Sequence, residues 1–154
     1  MKTYYIVSGG FDPLHEGHLE MITESREKSD GIIVLLQSDE WLIKKKGKMF
    51  MNLITRTAIM NNIKGVIDVI TAKDVGDVPC DIYNGFVEIR RRYPNDNLVF
   101  ARGGDKTPEN MPKSGADLCK KLNIKIIHGV GLSISNRIKP NSSSEILKNW
   151  DQKQ

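Results

Sequence analysis

The residues best equipped for chemistry lie in one early run, Ser8-Gly9-Gly10-Phe11-Asp12-Pro13-Leu14-His15-Glu16-Gly17-His18. Gly9 and Gly10 carry no Cβ, so the backbone can turn tightly there and approach a ligand closely. Pro13 suits a turn or a helix start, where its missing N–H costs nothing. His15 and His18 stand three apart, so at a helix N-terminus they project from one face, and Gly17 between them leaves room for a bulky group. Amide N–H groups, the positive end of a helix dipole and two imidazoles then meet at one spot, an anion site for which phosphate is the natural occupant. Two other readings stand beside it. The pair is half of a zinc site, for which the only other histidine is His128 and no cysteine lies near in sequence, or it is two structural histidines.

Positioning such a site requires strands and helices in alternation. Five continuous apolar runs rich in β-branched residues, Tyr4–Val7, Ile32–Leu36, Val66–Thr71, Leu98–Ala101 and Ile124–Ile127, read as strands buried on both faces of a sheet. Between and after them, helical spacing marks His18–Ser29, Ile54–Ile63, Ile82–Tyr93, Ala116–Leu122 and Ser144–Trp150. This order predicts an α/β doubly wound fold with a five-stranded, mainly parallel sheet, built as a single domain over 1–154. Ligands of such sheets bind beyond the carboxyl ends of the strands, so the chemistry is expected just after Val7, Gln37, Ala101 and Ile127.

The 154 residues are 39% hydrophobic and 27% charged, which excludes collagen-like, disordered and membrane-spanning classes. The apolar stretch in the first eight residues is too short for a secretory leader, and Cys80 and Cys119 belong to no CxxC pair. A cytoplasmic protein with reduced thiols is expected. The net charge of +4 hides two clusters, Lys44-Lys45-Lys46 with Lys48, and Arg90-Arg91-Arg92. Either attracts polyanions or simply forms a solvated face.

The run Gly10–His18 resembles the HxGH signature of the cytidylyltransferase-like nucleotidyltransferase family. That family includes glycerol-3-phosphate cytidylyltransferases and adenylyltransferases of heptose phosphate, pantetheine phosphate and nicotinamide mononucleotide. The resemblance implies a Rossmann-like fold in which His15 and His18 hold nucleotide phosphates and stabilise charge at the α-phosphorus, with Gly9, Gly10, Phe11 and Asp12 around the nucleotide. In the segment Ser38–Lys48, a basic loop on this reading, it implies a lysine that reaches the phosphates, Lys45 with Lys46 beside it; three adjacent lysines leave open which one acts. Arg56 resembles an arginine that serves the acceptor phosphate or braces the loop, and acceptor binding is the expectation adopted.

Arg102-Gly103-Gly104-Asp105-Lys106 resembles the family's Gly-Gly-Asp or Gly-Asp-Asp segment. Near the carboxyl end, Ser142 and Glu145 fit a capping box, so a helix is expected to begin there. Ser142, Ser143 and Ser144 at that helix start make a second phosphate-binding N-terminus. This stretch resembles the family's closing serine/threonine motif, which holds the β- and γ-phosphates, and Arg137 upstream supplies charge.

The expectation is therefore a nucleotidylyltransferase in which a phosphate oxygen of a small phosphorylated acceptor attacks the α-phosphorus of a nucleoside triphosphate and pyrophosphate leaves. Mg²⁺ is expected to arrive on the triphosphate, with no metal ligands from the protein. The base stays open: the first segment leans towards CTP, and Gly103-Gly104-Asp105 leans towards ATP and a sugar phosphate. The family resemblance also makes a homodimer an expectation. A nucleotide sensor without catalysis and an RNA-binding module are the rival classes; aromatics form only 6% of the chain and none interleaves Arg90–Arg92 for base stacking.

Overall fold

A computed structural model describes residues 1–73, 82–104, 106–131 and 143–152. The chain runs β1 (Thr3–Gly9), α1 (Glu16–Glu27), β2 (Gly31–Leu36), α2 (Asp39–Lys46), α3 (Leu53–Asn61), β3 (Val66–Thr71), α4 (Ile82–Arg92), β4 (Asn97–Gly103), a 3-10 turn (Pro108–Asn110), α5 (Lys113–Lys121), β5 (Ile124–Val130) and α6 (Ser143–Gln152). The strands form one sheet in the order β3-β2-β1-β4-β5, and every pairing is parallel.

Side chains alternate across the sheet, which explains why β2 reads as one unbroken apolar run. Ile33 and Leu35 of β2 join Phe86 and Ile89 of α4 and Cys119 of α5 in one layer. Ile32, Val34 and Leu36 face the other way, onto Ile22 of α1 and Met60 of α3. Phe86 packs edge-on against Phe100 of β4 with ring centroids 4.8 Å apart. Burying a ring of that size contributes about 2–3 kcal/mol, so each layer is held by several such anchors.

All five predicted strands and five predicted helices are present, their ends within three residues of those predicted and β3 matching at both. The reading of Ser38–Lys48 as a loop is corrected: Asp39–Lys46 is a helix. Ser38 caps it by accepting from the Trp41 amide at 3.1 Å, and Gly47 ends it in the left-handed region at φ 76°. Three lysines crowd its last turn, where the helix dipole favours cations.

The arginine cluster is engaged inside the molecule. Arg90 donates to the carbonyls of Leu122, Tyr93, Asp96 and Asn123 at 2.9–3.0 Å, tying the end of α4 to the starts of β4 and β5. Arg91 and Arg92 pair with Glu88, and Arg92 also with Asp68. These residues sit at the amino ends of the strands, away from the expected site. Among the described residues no helix is long and apolar enough to cross a membrane.

Candidate functional site

Chain order sends β2 and β3 to one side of β1 and β4 and β5 to the other, so the topological switch lies between β1 and β4. The histidine segment leaves the carboxyl end of β1 at this point, and Gly103 and Gly104 leave β4 beside it.

The spacing of the two histidines is that of N-cap and N3 in α1. The His15 ring accepts from the Gly17 amide at 3.1 Å through Nδ1, and the His18 Nδ1 accepts from the His15 amide at 3.3 Å. The imidazoles thus form a reciprocal capping box. They stack with centroids 3.8 Å apart and planes 23° from parallel, which places both on one face. Because each Nδ1 accepts a backbone N–H, the neutral ring carries its proton on Nε2 and presents a donor there. Burial, then His15, then Lys46 push the His18 pKa down to about 3, so that imidazole is neutral at physiological pH.

Phe11 precedes them with φ 49°, a left-handed conformation that costs a bulky residue about 1–2 kcal/mol. Its ring is buried and meets His18 edge-on at 4.7 Å, so packing holds the strained turn. Gly10 has a different reason to be glycine from the one read in the sequence. A Cβ there would lie 2.6 Å from Cδ2 of the fully buried Leu42, so the missing side chain lets α2 pack onto the histidine segment. At Gly103 the corresponding space holds the Met21 sulfur, and Gly104 turns at φ 50° while its amide donates to Val130.

Asp12 is fully buried, and its two carboxylate oxygens accept from the Phe50 and Met51 amides, each at 2.7 Å. Arg56 is also buried: its guanidinium donates to the carbonyls of Met51, Gly10 and Gln37 and to the Asp39 carboxylate at 2.6 Å. In this arrangement both side chains brace the site from behind. A nucleotide contact by Asp12, or an acceptor contact by Arg56, requires these bonds to open. The sequence offered two readings of Arg56, and this geometry is that of a brace.

Two more segments close on the same turn. The Lys46 ammonium lies 3.5 Å from the Asp12 carbonyl, and the Ser143 hydroxyl donates to the Pro13 carbonyl at 2.8 Å. Lys48 forms an ion pair with Asp151, so the end of α6 is also tied to the stretch after α2. Lys45 points elsewhere, its ammonium 4.5 Å from the Trp41 ring centre. Burial first and a neighbouring cation second lower the pKa of both lysines. The structure therefore brings together His15, His18, Lys46, Phe11, Gly9, Gly10 and Ser143, with Ser144 exposed on the first turn of α6. Asp105, Arg137 and Ser142 lie outside the described residues, and with Ser142 so does the capping box.

Sequence reasoning gave Arg102 no role and weighed His128 only as a third zinc ligand; the two are neighbours on β4 and β5. The guanidinium meets His128 Nδ1 at 3.2 Å and donates to the Thr107 carbonyl at 2.9 Å. Burial and then Arg102 lower the His128 pKa. Their only signal in the sequence is that both stand late in their strands, at the end where ligands bind.

A model of the family described as cytidylyltransferase-like matches residues 6–149. The chain belongs to that family. It is 31% identical over 106 residues to an FAD synthase of Pyrococcus horikoshii, covering 68% of this chain and 65% of that protein. It is 27% identical over 84 residues to a glycerol-3-phosphate cytidylyltransferase of Bacillus subtilis, covering 54% of this chain and again 65% of the relative. The matches thus span just under two thirds of the length of these curated relatives. Among solved structures, the lipopolysaccharide core biosynthesis protein of Thermoplasma volcanium superposes with a TM-score of 0.62 at 22% identity, covering 85% of this chain and 98% of that one. This cytidylyltransferase-like chain therefore shares its fold with that protein, and the HxGH element sits where the switch point of the sheet requires.

Proposed function

We propose that this protein is a nucleotidylyltransferase. A phosphate oxygen of a small phosphorylated acceptor attacks the α-phosphorus of a nucleoside triphosphate, the bond to the bridging oxygen of the β-phosphate breaks, and pyrophosphate leaves with that electron pair. The observation that carries the reading is the Ser143–Pro13 hydrogen bond, which seats the start of α6 beside the histidine pair. Transfer of this kind needs positioning and charge stabilisation more than covalent chemistry.

In this reading His15 and His18 donate from Nε2 to oxygens on the α-phosphorus, and Lys45 and Lys46 add positive charge. Ser143 and Ser144, with Ser142 and Arg137, hold the β- and γ-phosphates at the N-terminus of α6. Gly9, Gly10, Phe11, Gly103, Gly104 and Asp105 border the nucleotide. Asp12 and Arg56 hold the turn that aims the histidines.

Among the described residues no group of three or more His, Cys, Asp or Glu could hold a metal ion. The inward carboxylate of the histidine segment, Asp12, is committed to two amides, so the fit is to Mg²⁺ carried on phosphate oxygens. Bound there, Mg²⁺ supplies neutralising charge for the triphosphate.

CTP with a polyol or sugar phosphate is the favoured substrate pair, supported by the likeness to the Bacillus subtilis protein named as a cytidylyltransferase. The Gly103-Gly104 turn favours a second reading, ATP with a sugar phosphate. Both substrates are soluble phosphoesters, which suits a cytoplasmic enzyme, and a homodimer is the assembly proposed.

Thermal shift and pyrophosphate release with CTP, ATP, GTP and UTP in Mg²⁺ test the proposal. One nucleotide at a hundred times its Kd stabilises the fold by about 2.7 kcal/mol, and release should require a phosphorylated acceptor. Binding and release with none of the four would overturn it; binding without release would leave the sensor reading in its place.

A further inference from the structure

One peptide unit, Val130–Gly131 at the end of β5, is held from both sides. Its N–H donates to Glu24 Oε2 at 2.6 Å, and its carbonyl accepts from the Gly104 amide at 3.1 Å. The first bond spans 107 positions of chain to α1, the helix whose first turn carries His18, and the second reaches the turn that follows β4. Glu24, the peptide and Gly104 thus form a relay from the histidine helix to the glycine turn.

The sheet alone does not fix that peptide. The register of β4 against β5 shifts between Ala101 and Gly103, so the regular ladder is already broken where Gly104 bonds to Val130. Gly131 stands at φ 100°, and a residue without a Cβ lets the preceding peptide turn either way at small cost. A Cβ there would lie 2.9 Å from the Met21 amide nitrogen, so α1 packs directly on this backbone and brings Glu24 within reach. The carboxylate divides its oxygens: Oε1 pairs with Lys28 at 2.9 Å, and Oε2 takes the Gly131 amide. A charged acceptor on the N–H polarises the peptide and makes its carbonyl a stronger acceptor for Gly104. Turned the other way, the peptide would set its carbonyl oxygen against the carboxylate, and like charges repel.

Resting on the nucleotidyl-transfer reading, we propose that Glu24 is a positioning residue for the nucleotide: through the Val130–Gly131 peptide it holds the Gly103–Gly104 turn in place opposite the histidine pair. α1 then sets both walls of the site, one with its own first turn and the other through a carboxylate further along the helix. Glu24 acts through backbone and touches no substrate.

Three variants separate the contributions. Glu24→Ala removes the acceptor, Glu24→Gln keeps an oxygen for the Gly131 amide without the charge, and Lys28→Gln breaks only the ion pair. Amide exchange followed by NMR reads the relay, and calorimetry reads affinity for the α,β-methylene analogues of CTP, ATP, GTP and UTP with Mg²⁺. In Glu24→Ala the Gly104 amide should exchange about tenfold faster while the amides of β2 keep their protection. The analogue that binds best should bind about tenfold more weakly to this variant. Glu24→Gln should recover most of both readings, and Lys28→Gln should match the wild type in both. Unchanged exchange at Gly104, unchanged analogue affinity, no recovery in Glu24→Gln, or a loss in Lys28→Gln as large as in Glu24→Ala would each overturn the inference. Should Glu24→Ala not fold, Glu24→Asp, a methylene too short to reach Gly131, gives the same readings. A wild-type protein that binds none of the analogues removes the nucleotidyl-transfer reading instead, and the exchange data still decide the relay.

Discussion

The Ser143 hydroxyl donates to the Pro13 carbonyl at 2.8 Å, joining two residues 130 positions apart in the chain. One is the first residue of α6 and the other lies in the turn that leads to the histidines. Ser143→Ala removes the donor from a buried contact and should cost about 1 kcal/mol of stability, read by urea unfolding. If the α6 start holds the departing pyrophosphate, the same change should weaken triphosphate and pyrophosphate binding about tenfold in calorimetry and leave phosphate binding at the acceptor side unchanged.

His18 should remain neutral well below the pH at which a free imidazole charges. Its pKa falls from 6.5 to about 3 on folding, so between these values the unfolded chain binds a proton that the native state does not. Stability is therefore undiminished by this group above pH 6.5 and lost progressively as pH falls towards 3. The full span amounts to a few kcal/mol. An NMR titration of the free protein should find the His18 ring signal without an inflection between pH 5 and 8, and His18→Gln should flatten the acid limb of the stability curve.

Arg56→Lys should unfold the brace. The guanidinium supplies four donors in fixed directions to Met51, Gly10, Gln37 and Asp39, and a lysine ammonium does not reproduce that fork. Leaving buried carbonyls and the Asp39 carboxylate without partners should cost about 3–5 kcal/mol, seen as a lowered urea midpoint. A protein of wild-type stability that had lost only acceptor affinity would instead restore the acceptor-binding role.

Gly10→Ala and Leu42→Ala should be non-additive. The new methyl in the first variant occupies the space of the Leu42 side chain, an overpacking that should cost about 1–3 kcal/mol. Shortening Leu42 opens a cavity but also makes room for that methyl. The double variant should be more stable than the sum of the single losses predicts, by at least about 0.5 kcal/mol in a double-mutant cycle.

The fold was legible where one local pattern dominates. β2, buried throughout, announces itself as Gly31-Ile32-Ile33-Val34-Leu35-Leu36, and α4 does so through Ile82, Phe86 and Ile89. α2 escaped because its helix rests on caps and end charges: only Leu42 is buried among its eight residues, which leaves no apolar stripe to find. Ser38 and Gly47 were the available signals. At the site, His15 and His18 were legible because their separation is itself the geometry of a helix start. The bracing by Asp12 was not legible and that by Arg56 was only one of two readings, because residue type states only that a side chain is charged. Whether it faces ligand or backbone is decided by partners 17 to 46 positions away. Arg90 illustrates the same limit, since its carbonyl partners gather only once α4, β4 and β5 are assembled.

The clasp between Ser143 and Pro13 also bears on how the molecule is made. At about 5–20 residues per second, a ribosome needs roughly ten seconds to travel from one residue of this pair to the other. Throughout that interval the nascent polypeptide displays its imidazoles without the seat proposed for the leaving group. Competence for the proposed transfer thus arrives only once Ser143 has been made, and products that stop before it should hold triphosphate more weakly.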